Sequence, residues 1–161
     1  MFANADSIVE FLVTRGKGAK AQIGYDLTVK NIKRIPGGSS VLTDKTQIIP
    51  YEEVSPIKID GDRYCYMLHP GTYSLTFDQG CCLDNKHGAF IRHRSSILRS
   101  GGIITSGVYD PGFQVDEMGA VLIVTVPFTI ELGARVAQIV LFETETSQEY
   151  DGQFQGGKDV K

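Results

Sequence analysis

The sequence predicts an all-β fold, on three observations. Short runs of strand-forming residues recur at close spacing, separated by turns rich in Gly, Pro and Asp such as Asp60-Gly61-Asp62 and His69-Pro70-Gly71. Two later segments, Ala120–Val126 (AVLIVTV) and Val136–Phe142 (VAQIVLF), are apolar at nearly every position instead of at alternate ones. The helices that would cover a parallel sheet buried on both faces are missing. The remaining solution is a sandwich or barrel whose outer face packs on another subunit along these two strands.

In chain order, Asp6 or Ser7 is expected to cap a short amphipathic helix, Ile8 to Val13, stopped by Gly16 and Gly18. Gln22 to Val29 reads as a strand carrying one acid, Asp26, at a position where Asp is disfavoured. Pro36-Gly37-Gly38 marks a turn. Val41–Leu42, Gln47–Ile49, Ile57–Ile59, Tyr64–Leu68, Thr72–Phe77 and Ala89–Arg92 read as further strands. A second helical turn follows Arg94-Ser95-Ser96 and carries Arg99. A Gly101-Gly102 break and a strand, Ile103–Ser106, complete the pattern. Residues 1–148 are expected to form one domain. Residues 149–161 are polar and Gly-rich and read as a flexible arm, either frayed or folding the aromatic Phe154 over a bound ligand.

The chain of 161 residues is long enough for a real core, with 42% hydrophobic and 22% charged residues. A net charge of −3 offers no general attraction to nucleic acid or anionic membrane, so anion binding must be local. No apolar run approaches the roughly 20 residues of a membrane helix. The N-terminus lacks a basic start and a cleavage site, and the three cysteines do not form a disulfide framework, so a cytoplasmic location is expected. Cys81-Cys82 reads as small buried hydrophobes. His69, His87 and His93 lack metal-ligand spacing, and no zinc-deaminase motif is present.

The most informative stretch is Ile91–Phe113. Arg94, Ser95 and Ser96 place a cation and two hydroxyls at a helix start, suited to phosphate oxygens and equally to an N-cap by either serine. Arg99 adds a second cation. Tyr109-Asp110-Pro111-Gly112-Phe113 is a type II turn signal, with Pro presetting φ and Gly accepting positive φ. It would hold one carboxylate and one ring at a hairpin tip, although Asp also favours such turns for its own backbone bonds. Together these features suit an anionic ligand with a flat head, expected to be a nucleoside triphosphate.

Five pieces in order, Gly24-Tyr25-Asp26-Leu27, Arg94-Ser95-Ser96, Gly107 to Phe113, Gly133 to Gln138 and the tail from Tyr150 to Gly157, resemble the dUTPase and dCTP deaminase family. The resemblance implies a distorted jelly-roll or β-barrel of the dUTPase-like type with one or two short helices, assembled as a homotrimer with active sites at subunit interfaces. It further implies that Asp110 is the general base, and that Arg94, Ser95, Ser96, Arg99 and Gln138 bind phosphate. The hairpin Gly107, Val108 and Tyr109 would hold the base through backbone groups. Phe113 would pack under the deoxyribose, and Phe154 would stack on the base. Mg²⁺ would ride on the triphosphate, with Asp26 supporting its water network or the structure beside it. For Gln138 a bond to neighbouring backbone remains the alternative.

The family contains both hydrolases and deaminases. Several features lean to the deaminase branch: the Asp-Pro-Gly-Phe turn, the Arg-Ser-Ser-Ile-Leu-Arg spacing and the tail. Its members, however, need a glutamate in the strand after the turn, and aligning Gly119 with the family's glycine places Val124 there. Valine cannot transfer a proton. The expected activity is therefore hydrolysis of dUTP to dUMP and pyrophosphate. Deamination of dCTP, alone or with hydrolysis, and non-catalytic nucleotide binding are the alternatives. The segment Gln114-Val115-Asp116-Glu117-Met118 is longer than the family's usual link, and its Glu117 is a candidate acid, though a turn-borne acid is expected to be poorly placed for catalysis. The tail lacks the family's arginine, for which Lys158 is the substitute on hand.

Overall fold

The computed structural model describes residues 1–14, 16–38, 40–44, 46–145 and 150–157. The order of elements is α1 (Ala5–Glu10), β1 (Leu12–Thr14), β2 (Ala19–Lys20), β3 (Gly24–Arg34), β4 (Glu52–Glu53), β5 (Ile57–Asp60) and β6 (Arg63–Leu68). These are followed by β7 (Gly71–Phe77), β8 (Gly80–Cys82), β9 (His87–His93), α2 (Ser95–Arg99), β10 (Gly102–Thr105), β11 (Gln114–Val115), β12 (Gly119–Val124), β13 (Phe128–Glu131) and β14 (Arg135–Glu143). A short turn, Gln155–Gly157, closes the described chain.

Six strands close a ring in the order β14-β9-β10-β12-β7-β3, and β3 returns to β14. Every pairing is antiparallel. The closure depends on the length of β3. Its first half, to Thr28, pairs with β14, and its second half, from Val29, pairs with β7. The expected strand ending at Val29 therefore continues to Arg34, carried by Ile32, which is wholly buried. Two small three-stranded sheets, β1-β8-β11 and β13-β6-β5, flank the barrel. Leu27, Leu75, Phe77, Ile91, Ile104, Leu122, Ile139 and Leu141 fill the core.

Several local expectations are corrected. The first helix is Ala5–Glu10, not Ile8–Val13, and its cap is Asn4, whose Oδ1 accepts the Ser7 N–H at 3.0 Å. Leu12 and Val13, the residues given to its end, belong instead to β1, which pairs with β8, and that long-range pairing overrides helical spacing. Val41–Leu42 and Gln47–Ile49 reduce to one bridge between Val41 and Gln47. β12 stops at Val124, two residues early, where the Thr125 N–H donates to the Gly101 carbonyl.

Of the two doubly apolar strands, β14 needs no second subunit to cover it. It lies between β3 and β9, and Val136, Ala137, Ile139, Val140 and Leu141 are all buried within the single chain. The N-terminus supplies part of the cover. Ala3 N–H donates to Leu141 O, Phe2 meets Phe90 edge-on at 6.3 Å, and the Phe142 ring lies over Gly88. β12 differs, because Leu122 and Val124 point inward while Ile123 is 40% exposed opposite the equally open Ile103.

Gly80 sets how closely the loop of residues 114–118 approaches the barrel. A Cβ there would stand 2.2 Å from Asp116 O and 2.6 Å from Val115 O, both backbone atoms that cannot swing away. Gly80→Ala should destabilise the protein by about 2 kcal/mol, as overpacking does. Thermal unfolding should show a Tm lower by roughly 4–8 °C for a chain of this size. An unchanged Tm would mean that the loop is free to move off β8.

Candidate active site

The side-chain parity of the barrel builds the first half of the site. Asp26 on β3 stands opposite Gln138 on β14, and Gln138 stands opposite Arg92 on β9, so one row of polar side chains crosses three strands on the face away from the core. Asp26 is 3% exposed. A buried carboxylate must be paired and hydrogen-bonded. Its Oδ1 accepts from Gln138 Nε2 at 2.8 Å, and its Oδ2 lies 3.4 Å from both Arg94 Nε and Arg135 Nη1. Gln138 thus finds a side-chain partner, not the neighbouring backbone of the alternative reading. One acid holding two guanidinium groups leaves the cluster with surplus positive charge, as an anion grip requires.

Arg94 is also the N-cap of α2, with extended backbone, and the cap has no side-chain hydrogen bond. The expected capping by Ser95 or Ser96 is therefore replaced: both serines sit inside the first turn, exposed next to Arg94. Arg99 is exposed at the end of the same helix. Arg135 belonged to a quoted motif but carried no assigned role. A spacing of three from Gln138 would set the two on opposite faces of a regular strand, and a register shift between Arg135 and Ala137 in the β3–β14 pairing is what lets both reach Asp26.

The second half of the site lies at the other end of β9. The turn forms as expected: Phe113 N–H donates to Asp110 O at 3.0 Å, and Gly112 has φ of 81°. Asp110 is exposed at its start. The turn is fastened on both sides. Tyr109 and Ala89 exchange backbone bonds of 2.7 and 2.9 Å, Gly112 N–H donates to Asp84 O at 2.9 Å, and Leu83 N–H donates to Phe113 O at 3.0 Å. Asp84 in turn braces its own loop, its Oδ1 accepting from Lys86 N–H at 2.9 Å and meeting His87 Nδ1 at 2.8 Å. Burial pushes the Asp84 carboxyl up, but the bonds from Lys86 and His87 outweigh it and hold its pKa below the ordinary value. That stabilisation is present above the usual carboxyl range and is lost as pH falls through the lower folded value.

Behind the turn is an open cleft of about 860 Å³, a size that suits a small ligand. Gly107, Tyr109, Phe113 and Phe154 line it, together with Tyr51, Asp116 and Glu117. Val108 lies outside that lining and is 60% exposed. Tyr109 stacks on Phe113 at 4.9 Å between centroids. The Tyr109 hydroxyl donates to Gly119 O at 2.7 Å and accepts Gly119 N–H at 3.1 Å, and burial raises its phenol above the ordinary range. Glu117 was expected to be poorly placed; it reaches the cleft and is ion-paired with Lys30. Val124 is buried opposite Gly102 and Gly71, at the far end of β12 from Gly119.

The described part of the arm is packed rather than loose. Tyr150 N–H donates to Pro111 O at 2.7 Å, and the Tyr150 ring meets Phe113 edge-on at 5.4 Å. Lys158 lies outside the described residues. Burial pushes the Cys81 thiol up to about 12, which keeps it protonated and unreactive. Among the described residues no group of three or more His, Cys, Asp or Glu is placed to hold a metal ion, and no helix is long and apolar enough to cross a membrane.

The two halves stand apart in one chain. Tyr109 is tied to Ala89 at the start of β9, and Arg94 follows its end, so the turn and the guanidinium cluster are separated by roughly 15 Å of strand.

A family model described as dCTP deaminase-like matches residues 8–144. A probable deoxyuridine 5'-triphosphate nucleotidohydrolase of Aeropyrum pernix is 30% identical over 162 residues, covering 97% of this chain and 98% of that protein. A probable enzyme of the same name from Halobacterium salinarum is 32% identical over 82% of this chain and 80% of its own. The deoxyuridine 5'-triphosphate nucleotidohydrolase of Methanocaldococcus jannaschii is 30% identical over 84% of this chain and 86% of its own. Among solved structures, the 2'-deoxycytidine 5'-triphosphate deaminase from Agrobacterium tumefaciens is similar with a TM-score of 0.63 at 13% identity, over 87% of this chain and 47% of that one. Native EIAV dUTPase is similar with a TM-score of 0.51 at 17% identity, over 88% of this chain and 98% of that one. The two structures speak for the fold, a barrel of the dUTPase-like type. On the family match and the relatives' coverage, the chain belongs to the dUTPase and dCTP deaminase family.

Proposed function

We propose that this protein hydrolyses dUTP to dUMP and pyrophosphate, in a homotrimer whose active sites each draw on two chains. The observation that carries the two-chain reading is the separation of the halves. A general base must stand within hydrogen-bond reach of the water it deprotonates. A carboxylate roughly 15 Å along a strand from the phosphate grip of its own chain cannot do so. Asp110 of one protomer therefore serves Arg94, Ser95 and Ser96 of the partner subunit. The open apolar positions Ile103 and Ile123, and Leu98 on α2, are the surface such an assembly would cover.

In this reading the base and sugar occupy the cleft beside Gly107, Tyr109, Phe113 and Phe154. The phosphates meet Arg94, Ser95 and Ser96, with Arg99 as a further cation. Asp26, itself held by Gln138, keeps the guanidinium groups in place. Asp110 takes a proton from a water whose oxygen bonds to the α-phosphorus, and the bond to the bridging oxygen breaks to release pyrophosphate. Mg²⁺ would neutralise triphosphate oxygens. Both Asp26 oxygens are already engaged, so the carboxylate would reach that ion only through water. The names of the archaeal relatives support hydrolysis over deamination, as does the buried, acid-free position of Val124. A cytoplasmic location accords with this chemistry.

One observation favours a second reading. Glu117 lines the cleft and could move protons there if it left Lys30, which would permit deamination of dCTP. Incubation with Mg²⁺ and either nucleotide, assaying pyrophosphate and ammonia separately, decides between them. Pyrophosphate from dUTP alone is expected, and ammonia from dCTP would establish the second reading.

Two variants test the mechanism. Asp110→Asn should lower kcat by about 10²–10⁴, the worth of a general base, while nucleotide affinity stays within about tenfold. Unchanged turnover would remove Asp110 from the chemistry. Mixing inactive Asp110→Asn and Arg94→Gln chains in equal amounts should restore about a quarter of wild-type activity, because each mixed cyclic trimer regains one intact site. No recovery from co-refolded, verified mixed trimers would place both halves of the site in one chain.

A further inference from the structure

Gln155, a residue with no role in the site described so far, grips the backbone on both sides of Phe113. Its Oε1 accepts Gln114 N–H at 2.9 Å, and its Nε2 donates to Gly112 O at 3.0 Å. A primary amide carries an acceptor and donors in one plane, so it reads a stretch of backbone as a neighbouring strand would. Glutamate at neutral pH keeps only the acceptor half, and alanine keeps neither. The surrounding contacts extend the same attachment. Tyr150 N–H donates to Pro111 O, the Tyr150 ring abuts Phe113, and the Tyr150 hydroxyl accepts Phe154 N–H at 3.3 Å. Held this way, Phe154, Gly156 and Gly157 form one wall of the cleft.

We propose that Gln155 is a positioning residue that clamps the C-terminal arm onto the Asp110–Gln114 turn before substrate arrives. The clamp fixes the wall that carries Phe154 and the turn that carries Asp110 as one unit. The entropy of ordering the arm is then met in the free protein and not charged against binding. Losing the clamp should weaken capture of the nucleotide while leaving the chemical step intact. This kinetic consequence rests on the function proposed above; the clamp itself does not.

The test uses the full chain with and without Gln155→Ala, and Gln155→Glu as the variant that keeps the acceptor alone. Hydrogen exchange at the Gln114 amide, followed by NMR without nucleotide, should be protected in the wild type and faster by about tenfold or more in Gln155→Ala, as loss of its bond requires. KM for dUTP should rise about tenfold in both variants with kcat within about twofold, a split that general loss of structure would not produce. A Gln114 amide that exchanges freely in the wild type overturns the clamp, and so does Gln155→Ala with an unchanged KM. A wild type that releases no pyrophosphate from dUTP counts against the proposed function instead, and amide exchange then decides the clamp alone.

Discussion

A carboxylate held almost entirely out of water, Asp26, dictates much of the architecture around it. Removing such a charge from solvent costs several kcal/mol unless cations and hydrogen-bond donors meet it. Here the three donors come from two separate parts of the chain: Gln138 and Arg135 on β14, and Arg94 at the exit of β9. β14 must therefore lie next to β3, and the end of β9 must reach the same point. Those adjacencies are also the ones that close the barrel. The requirement of one side chain and the closure of the sheet are satisfied by the same arrangement, and the guanidinium groups are left aimed and charged as its by-product.

The opposite end of β9 is governed by backbone bonds and aromatic packing. Pairing to Ala89 on one side and to Leu83 and Asp84 on the other holds the turn, and Tyr109, Phe113 and Tyr150 pack in sequence against it. Positive charge is concentrated at one pole, and aromatic surface flanked by the carboxylates of Asp110, Asp116 and Glu117 at the other. A ligand with a flat, weakly polar head and an anionic tail matches that polarity, and the antiparallel barrel keeps the two poles at a fixed separation.

Much of this was legible in the sequence because it is local. The Pro111-Gly112 turn follows from φ preferences alone, and the apolar content of Val136–Phe142 correctly marks a strand buried on both faces. The cover for that strand was misattributed to a second subunit, because the contribution of Phe2 and the crossing of Phe142 over Gly88 are long-range events with no local signature. The first helix was misplaced for a similar reason. Asn4, Asp6 and Ser7 are all competent caps, and the choice among them rests on Leu12 pairing with Cys81. Arg135 and Gln155 escaped assignment because each acts on a residue far away in the chain, Asp26 and the backbone about Phe113, and the pairing of Glu117 with Lys30 was hidden for the same reason.

The pair of hydrogen bonds between the Tyr109 hydroxyl and the backbone of Gly119 ties together the two ends of the segment that carries Asp110 and the additional acids. A phenol spanning the neck of a loop makes the excursion beyond it a separate module. Residues can be gained or lost inside that module while the strands on either side keep their register. The long 114–118 link is then a tolerated variation, and the barrel offers a place where new cleft chemistry can be tried without renegotiating the fold.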